Sequence, residues 1–399
     1  MFFKHEKLFK AFIFFIIFAE SMNLCIVLFY ATLYAQLVLK LSLYKKIVTF
    51  MLGPYLATIF SGFVINAWVD RKRKFGFYFS LTFLSHALLF ISLAKIEDWK
   101  LSLIVLTFFS LGFASFLSIM QSFITLMPKL GINFSRMLAA SSLGWAIGGL
   151  LGGWIFDPER GLVYFNQSYL ALAFFNFLLL LPTIYFYSSF NIKLNDGDVP
   201  LTEKYSEKVA HIWKRESPCL WRIFLVITCL IFARSTFQTL YNNFYLNICH
   251  GSVQLNGLAI FLATIFGAIA SYFIPIRSTG QVYFFSGIFL YMLFYFFIFW
   301  VHDPIIIFFI YTMPFYVLTF LGSSQMLKVK SSELIRTRAM GLRQNAVVIG
   351  RLLAFGFSGV LADGFGLTLL PLVSALLILF LLPISWFLLK GIFKETRPE

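Results

Sequence analysis

The sequence predicts an all-α integral membrane protein of twelve transmembrane helices, arranged as two pseudo-symmetric six-helix bundles. Three observations carry that expectation: the composition, apolar runs of membrane-spanning length, and basic residues gathered on one side of those runs. Of the 399 residues, 60% are hydrophobic and 12% charged; 53 are Phe, and the mean hydropathy is +0.85. Soluble domains run about 45–50% apolar and about 25% charged. A water-facing globule has no means of hiding the excess, because much of its surface stays exposed. A soluble enzyme, a disordered chain and a coiled coil are excluded.

A helix needs roughly 20 apolar residues to cross the ~30 Å hydrocarbon core. Such runs fall at 8–36, 46–69, 75–94, 101–127, 138–157, 167–188, 220–248, 255–275, 282–301, 304–327, 342–362 and 367–390. They are continuous rather than alternating, which favours helices over a barrel, since backbone groups in lipid must be satisfied within the segment. Span 1 is too long for a signal-peptide core and no small-residue cleavage site follows it, so it is expected to stay. Span 2 ends in a charged loop at Asp70, and span 3 contains the lone imidazole of His86, which reads first as a hydrogen-bonded packing residue and second as a proton relay. Span 4 aligns Ser115, Ser118, Ser122 and Thr125; span 5 is rich in glycine, with Gly144, Gly148, Gly149, Gly152 and Gly153 inviting close approach of another helix. Spans 6, 8, 9 and 12 are placed by apolar length. Span 7 contains Arg234, span 10 aligns Thr312, Tyr316, Thr319 and Ser323, and span 11 contains Arg351.

The net charge of +15 would suggest nucleic acid in a soluble protein. Its distribution points elsewhere. With the N-terminus cytoplasmic, 24 Lys and Arg residues fall on that side, six on the other and two within spans. This is the positive-inside pattern; it predicts a multi-pass plasma (inner) membrane protein with both termini cytoplasmic, lipid headgroups nearby and no nucleic-acid partner. Cys25, Cys219, Cys229 and Cys249 are scattered and read as neither a disulfide nor a metal framework.

The longest polar stretch, 189–219, divides the chain into an N-terminal bundle (1–188), a cytoplasmic linker with an amphipathic helix from Glu203 to Arg215, and a C-terminal bundle (220–399). The halves echo one another. Ala19-Glu20-Ser21 meets Ala233-Arg234-Ser235 at an offset of 214, Ser115-Phe116-Leu117 meets Thr319-Phe320-Leu321 at 204, and Arg136…Gly148-x-Leu150-Leu151 meets Arg338…Gly350-x-Leu352-Leu353 at 202. Internal repeats of this kind characterise secondary transporters, with the substrate site between the halves.

Asn66-Ala67-Trp68-Val69-Asp70-Arg71-Lys72-Arg73-Lys74 resembles the signature between spans 2 and 3 of the major facilitator superfamily. Asp70, Arg71 and Lys74 match it, while Asn66 and Arg73 replace its two glycines. Glu333-x-x-Arg336-x-Arg338-Ala339-Met340-Gly341 is similar to that family's second-half loop. The resemblance covers the whole chain and implies the major facilitator fold, a monomer, alternating access, and a cavity lined by spans 1, 4, 7 and 10. Asp70, Arg71 and Lys74 would then form a cytoplasmic gate. The glycines of span 5 resemble the family's antiporter motif, but Gly149 stands where that motif has proline. The arginine that drug exporters of the family carry in span 4 is absent.

Charges near the bilayer centre cost at least ~2.5–3.5 kcal/mol. The acid placed deep in a span is Glu20; the bases are Arg234 and Arg351. Glu20 and Arg234 occupy equivalent repeat positions and are expected to face one cavity, although an ion pair that merely locks the bundle would use the same residues. At 100° per residue, Glu20, Asn23, Tyr30 and Tyr34 share a stripe of span 1, and Arg234, Gln238, Tyr241 and Tyr245 a stripe of span 7 with Asn242 at its edge. The expected substrate-binding set is Glu20, Asn23, Tyr30, Arg234, Gln238, Tyr241, Asn242, Tyr245, Tyr316 and Arg351, the last also able to snorkel. Glu20 is the expected proton carrier.

With no Walker A sequence to bind ATP, the driving force is expected to be a proton gradient, with no cofactor or metal. The expectation is proton-coupled uptake of a small anionic or zwitterionic solute: an amino acid, a carboxylate or a carboxylate siderophore. Export of a drug, siderophore or metabolite is the first alternative, and a sugar or nucleoside symporter the second. A membrane-embedded enzyme is disfavoured, because the five histidines are dispersed and no second intramembrane carboxylate serves acid–base work.

Overall fold

The computed structural model describes residues 6–72, 74–126, 134–186, 203–273, 280–332 and 336–390. Within these the chain is built of helices. α1 (Glu6–Leu24) opens span 1, α2 (Tyr44–Lys72) fills span 2 and α3 (Phe75–Leu93) span 3. α4 (Trp99–Phe113) and α5 (Phe116–Leu126) share span 4, followed by α6 (Phe134–Ile155) and α7 (Gly161–Tyr185). α8 (Glu203–Gln238) and α9 (Tyr241–Asn247) make span 7, then α10 (Val253–Phe273) and α11 (Gln281–Trp300). α12 (Pro304–Tyr311) and α13 (Phe315–Lys330) share span 10, and α14 (Arg336–Phe365) and α15 (Leu370–Lys390) finish the chain. Among the described residues, 11 stretches are long and apolar enough to cross a membrane. The remaining predicted span is occupied by the 29 residues of α2.

The sequence expects a separate linker helix over Glu203–Arg215. Instead this segment continues into span 7 as one 36-residue helix that passes through Pro218. A proline removes one intrahelical bond and kinks a helix, but no glycine accompanies it here, and the helix continues through Ser217 and Pro218.

The chain divides into two compact units, Met1–Leu194 with Gly251–Ile265, and Asn195–His250 with Phe266–Glu399. The first half of α10 groups with the first unit because glycines let backbones meet: a methyl group built on Gly257 would lie 2.6 Å from Gly149 O. Asp157 Oδ2 also accepts from Gln254 Nε2 at 2.5 Å and from Arg160 Nε at 3.0 Å.

Helix pairing repeats between units. In the first, α1 packs on α6, α3 on α7 and α3 on α4; in the second, α8 packs on α14, α11 on α15 and α11 on α13. These are spans 1/5, 3/6 and 3/4 against 7/11, 9/12 and 9/10, so these three pairings recur in the second unit. Gly148 and Gly350, equivalent in the repeat, serve the same purpose: a side chain at Gly148 would strike Met22 O, and one at Gly350 would strike Thr228 O. Caps repeat as well. Asp98 accepts from Leu101 N at 2.8 Å to start α4, and Asp303 accepts from Ile305 N and Ile306 N, each at 2.9 Å, to start α12. Each satisfies amides that a helix start leaves free.

Inside the first unit, Phe9, Phe75, Phe79, Phe83, Phe116 and Phe123 form an aromatic core. Outward faces hold large apolar side chains such as Phe108, Phe174 and Phe387, as a helix bundle in lipid requires.

Candidate functional site: broken spans and buried charges

Four predicted spans are interrupted midway, and they are spans 1, 4, 7 and 10. Span 1 loosens into a π-helix over Cys25–Phe29 and bends at Tyr30. Span 4 turns at Ala114 and Ser115, span 7 at Thr239 and Leu240, and span 10 at Thr312 to Pro314. α2, α3, α6, α7, α10, α11, α14 and α15 run unbroken. Broken helices in a bilayer free backbone groups that must find partners, and they mark substrate and ion sites in transporters; π-bulges likewise gather at functional positions.

In the first unit the freed groups of span 4 are met from neighbouring helices. Thr82 Oγ1 donates to Gly112 O at 3.0 Å, Ser115 N donates to Tyr78 Oη at 3.1 Å, and Ser61 Oγ donates to Ser115 Oγ at 2.8 Å. Glu20 lies in the same interior, 0% exposed, and neither carboxylate oxygen has a hydrogen-bond partner. Its Oε2 is 3.4 Å from His86 Nδ1, itself 0% exposed. His86 Nδ1 also lies 3.2 Å from Thr82 O, and the imidazole stacks on Phe113 with ring centres 4.0 Å apart. The sequence gives His86 two readings, packing residue first and proton relay second. Only the rotation of α3 against α1 reveals it as the neighbour of Glu20.

The other expected span-1 groups have partners within this unit. Asn23 Nδ2 donates to Asn176 Oδ1 at 2.8 Å, and Tyr30 Oη donates to Gly149 O at 2.6 Å. Tyr34 Oη donates to Leu93 O at 3.1 Å. These are contacts of interhelical glue.

In the second unit Arg234 is partly buried. Its guanidinium carbon stands 4.0 Å from the centre of the Tyr291 ring, and Nη2 donates to Gln238 Oε1 at 3.3 Å, while Nε is buried with no acceptor. The cation–π contact offsets part of the desolvation. The offset between His86 and Tyr291 is 205, between the 214 of Glu20 and Arg234 and the 204 of Ser115 and Thr319. Each buried charge therefore meets an aromatic ring from the equivalent place on the equivalent helix. Tyr241 stacks on Tyr311 (ring centres 4.3 Å, planes 11° apart), Tyr245 Oη donates to Pro304 O at 2.9 Å, and Asn242 is buried. Tyr316 packs its hydroxyl end against Gly267, where a side chain would collide with it.

Arg351 is half-buried on α14. Sequence reasoning missed Arg343, counted with the cytoplasmic bases. Its guanidinium carbon lies 4.0 Å from the centre of the Phe320 ring and Nε donates to Ser323 Oγ at 3.2 Å. Of the expected gate, Lys74 is exposed; the side chains of Asp70 and Arg71 lie outside the described residues, as does Glu333. Among the described residues, no group of three or more His, Cys, Asp or Glu could hold a metal ion.

No family model and no curated relative matches the sequence. Solved structures match over nearly the whole chain. A bacterial homologue of the human lysosomal transporter Spinster, inward-facing and unoccupied, superposes with TM-score 0.78 at 11% identity, covering 99% of each chain. The nucleoside transporter NupG superposes with TM-score 0.71 at 14% identity, covering 96% of this chain and 99% of that one. One of these neighbours is a nucleoside transporter and the other a homologue of a lysosomal transporter. Their likeness to this chain over nearly its whole length, at such low identity, shows that it shares their fold.

Proposed function

We propose that this protein is a secondary active transporter for proton-coupled uptake of a small anionic or zwitterionic organic solute by alternating access. The observation that carries this reading is the pair of opposite charges, Glu20 and Arg234, kept inside hydrophobic spans at equivalent repeat positions and beside helix breaks. Neither is stabilising by itself, since a buried charge without a full complement of partners costs several kcal/mol. Arg234 presents a planar fork of donors suited to a carboxylate, and its buried Nε offers one of them. Gln238, Asn242, Tyr316 and Arg351 complete the set proposed for the solute. Glu20, the acid within the spans, takes the proton. The orientation that the charge asymmetry favours puts both termini in the cytoplasm of a bacterial-type inner membrane, with the protein acting as a monomer.

Uptake into proteoliposomes under an imposed pH gradient tests this directly, using radiolabelled amino acids, mono- and dicarboxylates, a citrate-type siderophore, nucleosides and sugars. An acidic or zwitterionic probe should accumulate only with the gradient, and Glu20→Gln should abolish accumulation. Normal coupling in Glu20→Gln would end the proton assignment. Accumulation of nucleosides alone would move the substrate class.

A further inference from the structure

We infer that the proton-binding site is a two-residue site, Glu20 with His86, built wholly within the first unit, and that the break in span 4 is wired to it. This rests on the proton-coupled reading above and names the site that would serve it. His86 Nδ1 faces two acceptors, Thr82 O at 3.2 Å and Glu20 Oε2 at 3.4 Å. A carbonyl only accepts, so Nδ1 carries the hydrogen and Nε2, buried with no partner, keeps its lone pair. With Glu20 ionised and His86 neutral, the pocket would hold a bare negative charge at 0% exposure. Within the first unit, among the described residues, no Lys or Arg side chain stands within salt-bridge distance of Glu20. A single proton on the pair cancels that charge, whether it rests on the carboxyl or forms an imidazolium–carboxylate contact.

The surroundings supply little else that titrates. From α3 the phenol of Tyr78 interacts electrostatically with Glu20. α4 contributes Phe113, stacked on the imidazole. α6 contributes Ser141, bonded to Ser21, and α7 contributes Asn176, bonded to Asn23, and Tyr169, edge-on to Phe90. The chain next to Glu20 contributes the buried thiol of Cys25.

Tyr78, Thr82 and His86 recur every four residues, so they share one face of α3. The first two hold the ends of the span-4 break, through Ser115 N and Gly112 O, and the third touches Glu20 and stacks on Phe113, the last residue before that break. A change in the Glu20–His86 contact is thereby delivered to the hinge of span 4 through Thr82 and Phe113. Loading is a proton transfer from solvent to the pair, and release returns the same proton; no other species is consumed.

The test is infrared titration of the full-length protein in phosphatidylethanolamine–phosphatidylglycerol nanodiscs. A protonated-carboxyl band that disappears in Glu20→Gln reports Glu20. In His86→Gln its titration midpoint should move by about one pH unit or more, the mark of coupled sites; a midpoint equal to that of the native protein overturns the inference. If His86→Gln does not fold, ¹⁵N-histidine spectra replace it. The His86 ring signals should titrate differently in the native protein and in Glu20→Gln, and identical curves overturn the inference equally. Both readouts are independent of transport. A shifted band in a protein that accumulates nothing under a pH gradient would therefore retain the site and reject proton-driven uptake, whereas gradient-driven uptake with an unshifted band would do the reverse.

Discussion

The ring of Tyr30 lies directly on Gly152 while its hydroxyl donates to Gly149 O at 2.6 Å, so one tyrosine clamps span 1 to two glycines of span 5. A methyl group at position 152 would overlap ring carbons that are themselves stacked on Phe156, with ring centres 5.4 Å apart. Gly152→Ala should therefore destabilise the protein by about 1–3 kcal/mol through overpacking. Tyr30→Phe, which loses one hydrogen bond, should cost about 1 kcal/mol. Thermal unfolding in detergent reads both; a Gly152→Ala protein as stable as the native one would show that the ring has room to move.

Asn23 and Asn176 exchange hydrogen bonds at 2.8 and 3.4 Å in a fully buried setting. A double-mutant cycle with Asn23→Ala and Asn176→Ala should give a coupling of about 0.6–1.7 kcal/mol, the range for polar contacts between membrane helices. The expected readout is stability. A zero coupling accompanied by loss of solute affinity in Asn23→Ala alone would return Asn23 to the substrate set.

Arg234 stacks on Tyr291 and donates from Nη2 to Gln238, while its buried Nε has no acceptor. Arg234→Ala should weaken binding of an anionic probe by about 2–5 kcal/mol, the usual effect of truncating one member of a buried charge contact. Arg234→Lys should recover only part of it, since an ammonium lacks the planar fork. Isothermal titration with the solute found in the uptake screen checks both; full affinity in Arg234→Lys would argue against bidentate recognition.

Cys249 lies in the turn between α9 and α10, and burial, followed by the negative charge of Asp303, pushes its thiol up to about 12. The thiolate is the reactive form. At about pH 8 its labelling by maleimide should be slower than that of an exposed thiol by roughly a thousandfold or more, from thiolate fraction alone. Reactivity should rise only as the pH approaches the shifted value. Mass spectrometry of labelling time courses measures this, and rapid modification at neutral pH would mean the turn opens.

Much of the architecture is legible in one dimension. Apolar runs locate the helices because membrane solvation acts on each segment separately, and the repeat is visible in Glu20/Arg234, Ser115/Thr319 and Gly148/Gly350 before any packing is known. In span 1, Asn23 and Tyr30 share a stripe with Glu20, yet their polar atoms go to Asn176 and Gly149. Helical periodicity shows which residues share a face, and the neighbouring helix decides what that face meets. Arg343 illustrates the same point from the loop side: a residue counted as a cytoplasmic cation folds back onto Phe320 and Ser323.

The bilayer as solvent, the helical class, the duplication and the rarity of intramembrane charge were determined by the sequence alone, because hydropathy and charge accumulate along the chain whatever the rotation of each helix. Tertiary structure decided that Glu20 meets His86, that Arg234 meets Tyr291, and that spans 1, 4, 7 and 10 break midway. Those outcomes depend on rotating and sliding packed helices by fractions of a turn, and a short-range contact of a few ångströms is specified by both partners together.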